Sequence, residues 1–158
     1  MKLSKYLANR LTEVLTEGTW VSGTNFKSQI IALDWHLAKQ QVADLNTIAD
    51  ITYHVHYYIA GVLQVLQGGP LEIRDAFSFD APPITSAHDW DTLVLQFCKD
   101  SDTFINEVRS MTDTQLHSDF IDKKYGNYHR NIDVLIEHTY YHLGQVVLVK
   151  KLVQRKAL

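Results

Sequence analysis

Four stretches of this chain place apolar residues at three- and four-residue steps, and none reads convincingly as a strand. Residues 3–17 carry Leu3, Leu7, Leu11, Val14 and Leu15. A second stretch runs from a cap at Thr47 to about Gln67 and carries Ile48, Ile51, Val55, Ile59, Val62 and Leu66. A third starts at Ser86 or Asp89, ends near Met111, and carries Trp90, Leu93, Val94, Phe97, Ile105 and Val108. The fourth runs from about Tyr128 to Gln154, with Ile132, Leu135, Ile136, Leu143, Val146 and Val147 on one face. A helix with one apolar stripe must bury it against another element. Four such helices in one chain predict an all-α fold, a four-helix bundle forming a single domain over residues 1–158.

The punctuation between the stripes agrees with this reading. Gly18 stops the first helix, and the turn Gly18–Thr24 carries Trp20 and Gly23. Residues 25–37 are expected to add a short helix. Gly68-Gly69-Pro70 is a strong stop after the second long helix. Residues 70–88 contain Pro82-Pro83 and no helical period, so they are expected to be extended and mostly exposed. A connection of that length needs a reason, such as crossing the end of the bundle or covering a site. A polar loop with Gly126 precedes the last helix, whose final turns carry Lys150, Lys151, Arg155 and Lys156, the favourable sign for a helix C-terminus.

Composition narrows the function classes. A net charge of −3 with both signs dispersed lacks the clustered Lys and Arg of a nucleic-acid or anionic-membrane surface. Cys98 is the single cysteine, which rules out an internal disulfide and a thiolate metal cluster. It falls within the third stripe and is expected to be a buried structural thiol. The first fifteen residues hold lysines but no long apolar run, and read as a helix rather than a signal peptide. No run approaches the roughly 18 apolar residues of a membrane span. A cytoplasmic protein is expected.

Eight histidines are many for 158 residues. His36, His88, His117 and His129 fall in or near loops and polar helix ends, where ordinary surface or capping roles suffice. His138 and His142 are four apart on the last helix, so their rings leave one face a turn apart and can bind one metal ion together. At 100° per residue they sit on a flank of the apolar stripe. His54 sits on the corresponding flank of the second long helix, with Ile51 and Tyr58 beside it. His56 points to the other side. One histidine from one helix and two from another can therefore converge, giving three nitrogen ligands and an open position of the kind found in catalytic metal sites. The competing reading keeps them as separate core-edge histidines bonded to tyrosine or backbone.

The runs TIADITYHVHYYIAGVLQVLQGG (47–69) and YGNYHRNIDVLIEHTYYHLGQVVLVKKL (125–152) resemble the DinB/YfiT-like superfamily. The resemblance covers most of the chain, including the Trp20 turn, and its most specific part is His-x-x-x-His-x-Gly-Gln at 138–145. It implies a four-helix bundle of up-down-down-up order, with nickel or zinc on His54, His138 and His142, and a homodimer. Some relatives are thiol-dependent transferases or isomerases that use bacillithiol, mycothiol or glutathione. No thiol-cofactor motif is found here, so that activity would rest on the analogy of fold.

Three functions follow as expectations. The first is a metal-dependent enzyme, a thiol-dependent S-transferase or a hydrolase, in which the ion lowers the pKa of a bound thiol or water. Asp50 and Gln145 are candidates to orient an imidazole, and Tyr58 and Tyr141 to donate to a bound anion, whereas Glu137 is expected to face outward. No general base stands out. The second is a non-catalytic metal- or small-ligand-binding bundle linked to stress. The third is a metal-free interaction bundle that presents Tyr53, Tyr57, Tyr128 and Tyr140 to a partner.

Overall fold

A computed structural model describes residues 2–156, and the described residues are helical with no strands. Seven α-helices are present among them: α1 (Leu3–Leu15), α2 (Phe26–Ile30), α3 (Trp35–Ala38), α4 (Ile48–Leu66), α5 (Ala87–Ser110), α6 (Asp113–His117) and α7 (Tyr128–Lys156). Two short 3-10 turns, Asp75–Phe77 and Lys123–Tyr125, sit in the connections. None of the described helices is long and apolar enough to cross a membrane.

The long helices begin where side chains can satisfy their free N–H groups. Thr47 caps α4, and Asp50 returns the bond to the Thr47 N–H in a capping box. Ser86 and Asp89 do the same for α5. At α7, Asn127 Oδ1 accepts from the Arg130 N–H. The α4 terminus turns at Gly68, whose φ of 85° is costly for any residue with a Cβ. There the N–H groups of Gly68 and Gly69 close onto the carbonyls of Val65 and Gln64.

Each long helix packs beside two others. α1 lies against α5 and α7, and α4 lies against α5 and α7, which closes a ring. The buried stripes of all four fill the centre, with Leu7, Leu11, Ile59, Phe97, Phe104, Ile132 and Ile136 essentially inaccessible. Phe26 of α2 stacks on Phe97 at a centroid distance of 4.9 Å. The Trp90 indole N–H donates to the Leu33 carbonyl at 2.9 Å, and Lys150 donates to the Gln29 carbonyl at 2.7 Å. These bonds fasten the α2–α3 segment to α5 and α7.

Several sequence expectations need correction. The short helix expected over 25–37 is two helices, because the turn at residues 31–34 ends in Asp34, which caps α3 through the His36 N–H. The polar loop before α7 contains α6, started by a Thr112–Gln115 capping box. The first helix ends at Leu15 rather than 17. Cys98 is half-buried rather than fully buried, and burial pushes its thiol pKa up. The connection after α4 is largely exposed but not featureless, since it folds back along α4. Ile73 presses against Gly61, Tyr57 exchanges hydrogen bonds with the Arg74 backbone, and Tyr58 donates to Asp75. Gly61 permits this approach, because a Cβ there would stand 2.3 Å from the Ile73 side chain.

Candidate metal centre

The refolded connection and the two helices α4 and α7 build one site. His54 projects from the middle of α4, and His138 and His142 project one turn apart from α7. The Nε2 atoms of His54 and His138 are 3.0 Å apart, as are those of His138 and His142. All three ring nitrogens lie within 4.8 Å of one another, and the group could hold a metal ion. His54 and His142 are 7% and 6% exposed, so the cluster is set into the protein rather than scattered over its surface.

The far side of two rings is fixed. His54 Nδ1 bonds the Ser78 carbonyl at 3.2 Å, and His142 Nδ1 bonds Gln145 Oε1 at 2.7 Å. Both partners are acceptors, so each Nδ1 carries the proton and each Nε2 presents a lone pair to the centre. His138 Nε2 has both of those nitrogens as neighbours and can carry only one hydrogen. At least one of the two 3.0 Å contacts therefore faces lone pair to lone pair. A cation relieves that conflict. Two nitrogens each at the usual ~2.0–2.1 Å from a zinc-like ion stand roughly 3.3 Å apart at a tetrahedral angle, close to the spacing observed. The donor set, its tautomers and its spacing thus fit a divalent ion.

The electrostatics agree. Burial pushes the pKa of all three histidines down, and for His54 and His138 the neighbouring rings add to it. His138 is pushed down to about 4, by burial first and then by His142 and His54. The three imidazoles are accordingly neutral at neutral pH, the form a metal requires.

Aromatic rings close the surroundings. Phe79 stacks on the face of His54 at 3.9 Å between centroids and 12° between planes. Tyr58 stands edge-on to both His54 and His138 at 5.1 Å. Tyr58 and His138 both border a cavity of about 360 Å³ walled mainly by Val62, Leu71, Ile73 and Leu135, with Asn131 and Asp75 among its polar groups. Of the three histidines, His138 is the one in its wall.

The remaining sequence candidates are distributed as follows. Gln145 orients His142 directly. Asp50 does not orient an imidazole, because its carboxylate is spent on the Thr47 N–H and hydroxyl at 3.0 and 2.7 Å. The Tyr58 hydroxyl is committed to Asp75 at 2.9 Å rather than free for an anion. Tyr141 is exposed, with its ring against the edge of His142 at 4.9 Å. Glu137 is exposed and pairs with Arg130 at 3.5 Å. His36, His117 and His129 bond Asp34, the Asp113 carbonyl and Asp133. His88 is exposed, and His56 pairs with Asp100, away from the cluster. Tyr53, Tyr57, Tyr128 and Tyr140 are half-buried. Ser78 and Phe79 carry no signal in the sequence, because an aperiodic connection gives no sign of which residue turns inward. The only hint was its length.

No family model matches the chain, and neither does any curated protein or solved structure.

Proposed function

We propose that this protein is a divalent-metal-dependent enzyme of the DinB/YfiT-like type, with His54, His138 and His142 as the ligands of nickel or zinc. The convergence of three Nε2 atoms, with His138 also bordering a largely apolar cavity, carries this reading. The bundle order proposed with it is up-down-down-up, which suits helices that each pack beside two others.

When bound, such an ion lowers the pKa of a thiol or water that occupies its open position, so that the nucleophile forms near neutral pH. The protein's own residues do the rest. Ser78 and Gln145 hold two rings in the tautomer that presents Nε2. Phe79 and Tyr58 keep bulk water from the His54 and His138 rings. Val62, Leu71, Ile73 and Leu135 offer an electrophile an apolar seat next to His138. Asp75, the carboxylate bordering that cavity, accepts from the Tyr58 hydroxyl through Oδ1. Transfer of an electrophilic group to a low-molecular-weight thiol is the reaction proposed, with hydrolysis as the variant when water takes the thiol's place. The cytoplasmic location and homodimer belong to the same proposal.

A second reading has its own observation. Phe79 and Ser78 cover one side of a site whose His54 and His142 are nearly inaccessible, as in a non-catalytic metal- or small-ligand-binding protein. One experiment separates them. Tag-free protein loaded with zinc or nickel is assayed with glutathione, bacillithiol, mycothiol and plain buffer against a chromogenic electrophile. Turnover that disappears in His138→Ala supports the enzyme. Stoichiometric metal without turnover of any pair supports the binding protein.

A further inference from the structure

Two residues along α4 from His54, and roughly 200° around the helix, His56 belongs to a different constellation. Its Nε2 meets Asp100 Oδ2 of α5 at 2.7 Å, with the side chains 14% and 16% exposed. Gln96 donates to both oxygens of the same carboxylate at 3.0 Å. Asp100 can only accept, so the His56 proton sits on Nε2 and the lone pair of the neutral ring sits on Nδ1. That Nδ1 has no hydrogen-bond partner among the described residues. It is not sealed in the interior either, because Ser101 Oγ is the buried side-chain polar atom left without a partner there.

His56 lines a cleft of about 680 Å³ between α4, α5 and residues 81–84. That volume is in the range of small-molecule sites. Tyr53, Ile84, Pro83 and Leu93 give it mainly apolar walls. Its carboxylates are already engaged: Asp50 holds the Thr47 cap, and Asp89 holds Thr85 and Ser86. Its ammonium, Lys39, lies over the Trp35 ring at 4.2 Å. The two carboxylates disfavour an anion, and the Lys39 ammonium in the same lining offsets part of their pull on a cation. What it offers is mainly apolar surface, with the oriented His56 ring in its wall and the polar side chains of His88, Thr92 and Gln96 also lining it.

We infer that this cleft is a second small-molecule site, separate from the three histidines, and that it takes a neutral, largely apolar molecule bearing one hydroxyl or N–H donor, of the phenol or indole class. The donor bonds His56 Nδ1, and Asp100 and Gln96 hold the ring in the tautomer that accepts it. The ring body lies between Tyr53, Leu93 and the proline segment. A polar acceptor facing an apolar cleft selects for the donor, because a ligand without one leaves Nδ1 stripped of water and unpaired.

The test uses the full chain and two probes of matched shape, phenol and anisole, followed by amide NMR titration. Phenol is expected to shift the amides of Tyr53, His56, Thr92 and Leu93 saturably and to bind about fivefold tighter than anisole. His56→Lys retains a donor for Asp100 and carries no acceptor, and phenol should fall to the level of anisole. Leu93→Trp, which fills the cleft, should abolish binding of both. His142→Ala should change neither, which separates this site from the proposed metal centre. Equal binding of the two probes, shifts centred on Val62 and His138 instead, or the absence of any saturable shift would overturn the inference.

Discussion

Removing the acceptor on His142 gives the sharpest test of how the cluster is preorganised. Gln145→Leu keeps the volume but deletes the 2.7 Å bond to His142 Nδ1. Two separable effects follow. In the metal-free protein a nearly inaccessible N–H loses its partner, a cost of about 1 kcal/mol or somewhat more. For a chain of this length that corresponds to a Tm lower by about 2–4 °C per kcal/mol. The second effect concerns binding. The Nδ1–H donates more strongly once a cation draws on Nε2, and the bond also keeps the ring from turning away. Losing such support typically weakens a metal site about 10- to 100-fold, or about 1.4–2.7 kcal/mol. The assay is competition for zinc against a chromophoric chelator at pH 7.5, with thermal melts of both forms. Gln145→Glu supplies an acceptor at the same position and should bind at least as tightly as the parent. A Gln145→Leu protein with parental zinc affinity would refute the claim that the tautomer of His142 is set from behind.

Further outcomes are expected from the same geometry. Stability of the metal-free protein should depend on acid in one direction. The unfolded chain protonates its histidines below about pH 6.5, whereas folded His138 resists until about 4. The unfolded state then holds more protons, so stability is full above 6.5 and falls as pH drops from 6.5 toward 4. Urea midpoints across this range check it, and His138→Gln should flatten the slope. Ser101→Ala removes a buried hydroxyl that has no partner, and should be neutral or stabilising by about 1 kcal/mol in a urea melt. Gly61→Ala puts a Cβ 2.3 Å from Ile73, and overpacking of that kind costs about 1–3 kcal/mol. It should also lower zinc affinity, because the displaced connection carries Ser78. Parental stability and affinity in that variant would show that the connection is not braced against α4.

Much of this is legible in the amino-acid sequence. Stripes such as Ile48-Ile51-Val55-Ile59 announce helices because burial of one face is a strong, periodic demand. The same periodicity put His54, His138 and His142 on facing flanks, since a residue's direction on a helix follows from its number. What escaped is what periodicity does not encode. Ser78 and Phe79 reach His54 because Gly61 lets Ile73 close on α4, a match between distant residues that have no common repeat. Asp50 lies one turn before His54, but Thr47-x-x-Asp50 is itself a capping box and claims the carboxylate first. The partner of His56, Asp100, lies on another helix 44 residues away and carries no local signature.

Metal content addresses the central claim most directly. Protein purified without a histidine tag, then equilibrated with zinc or nickel and desalted, is weighed by native mass spectrometry and analysed for metal. One tightly held ion per chain is expected, lost in His142→Ala and in His54→Ala but kept in His36→Ala. A folded parent protein that retains no ion and takes up neither metal would contradict the assignment of these three imidazoles as ligands.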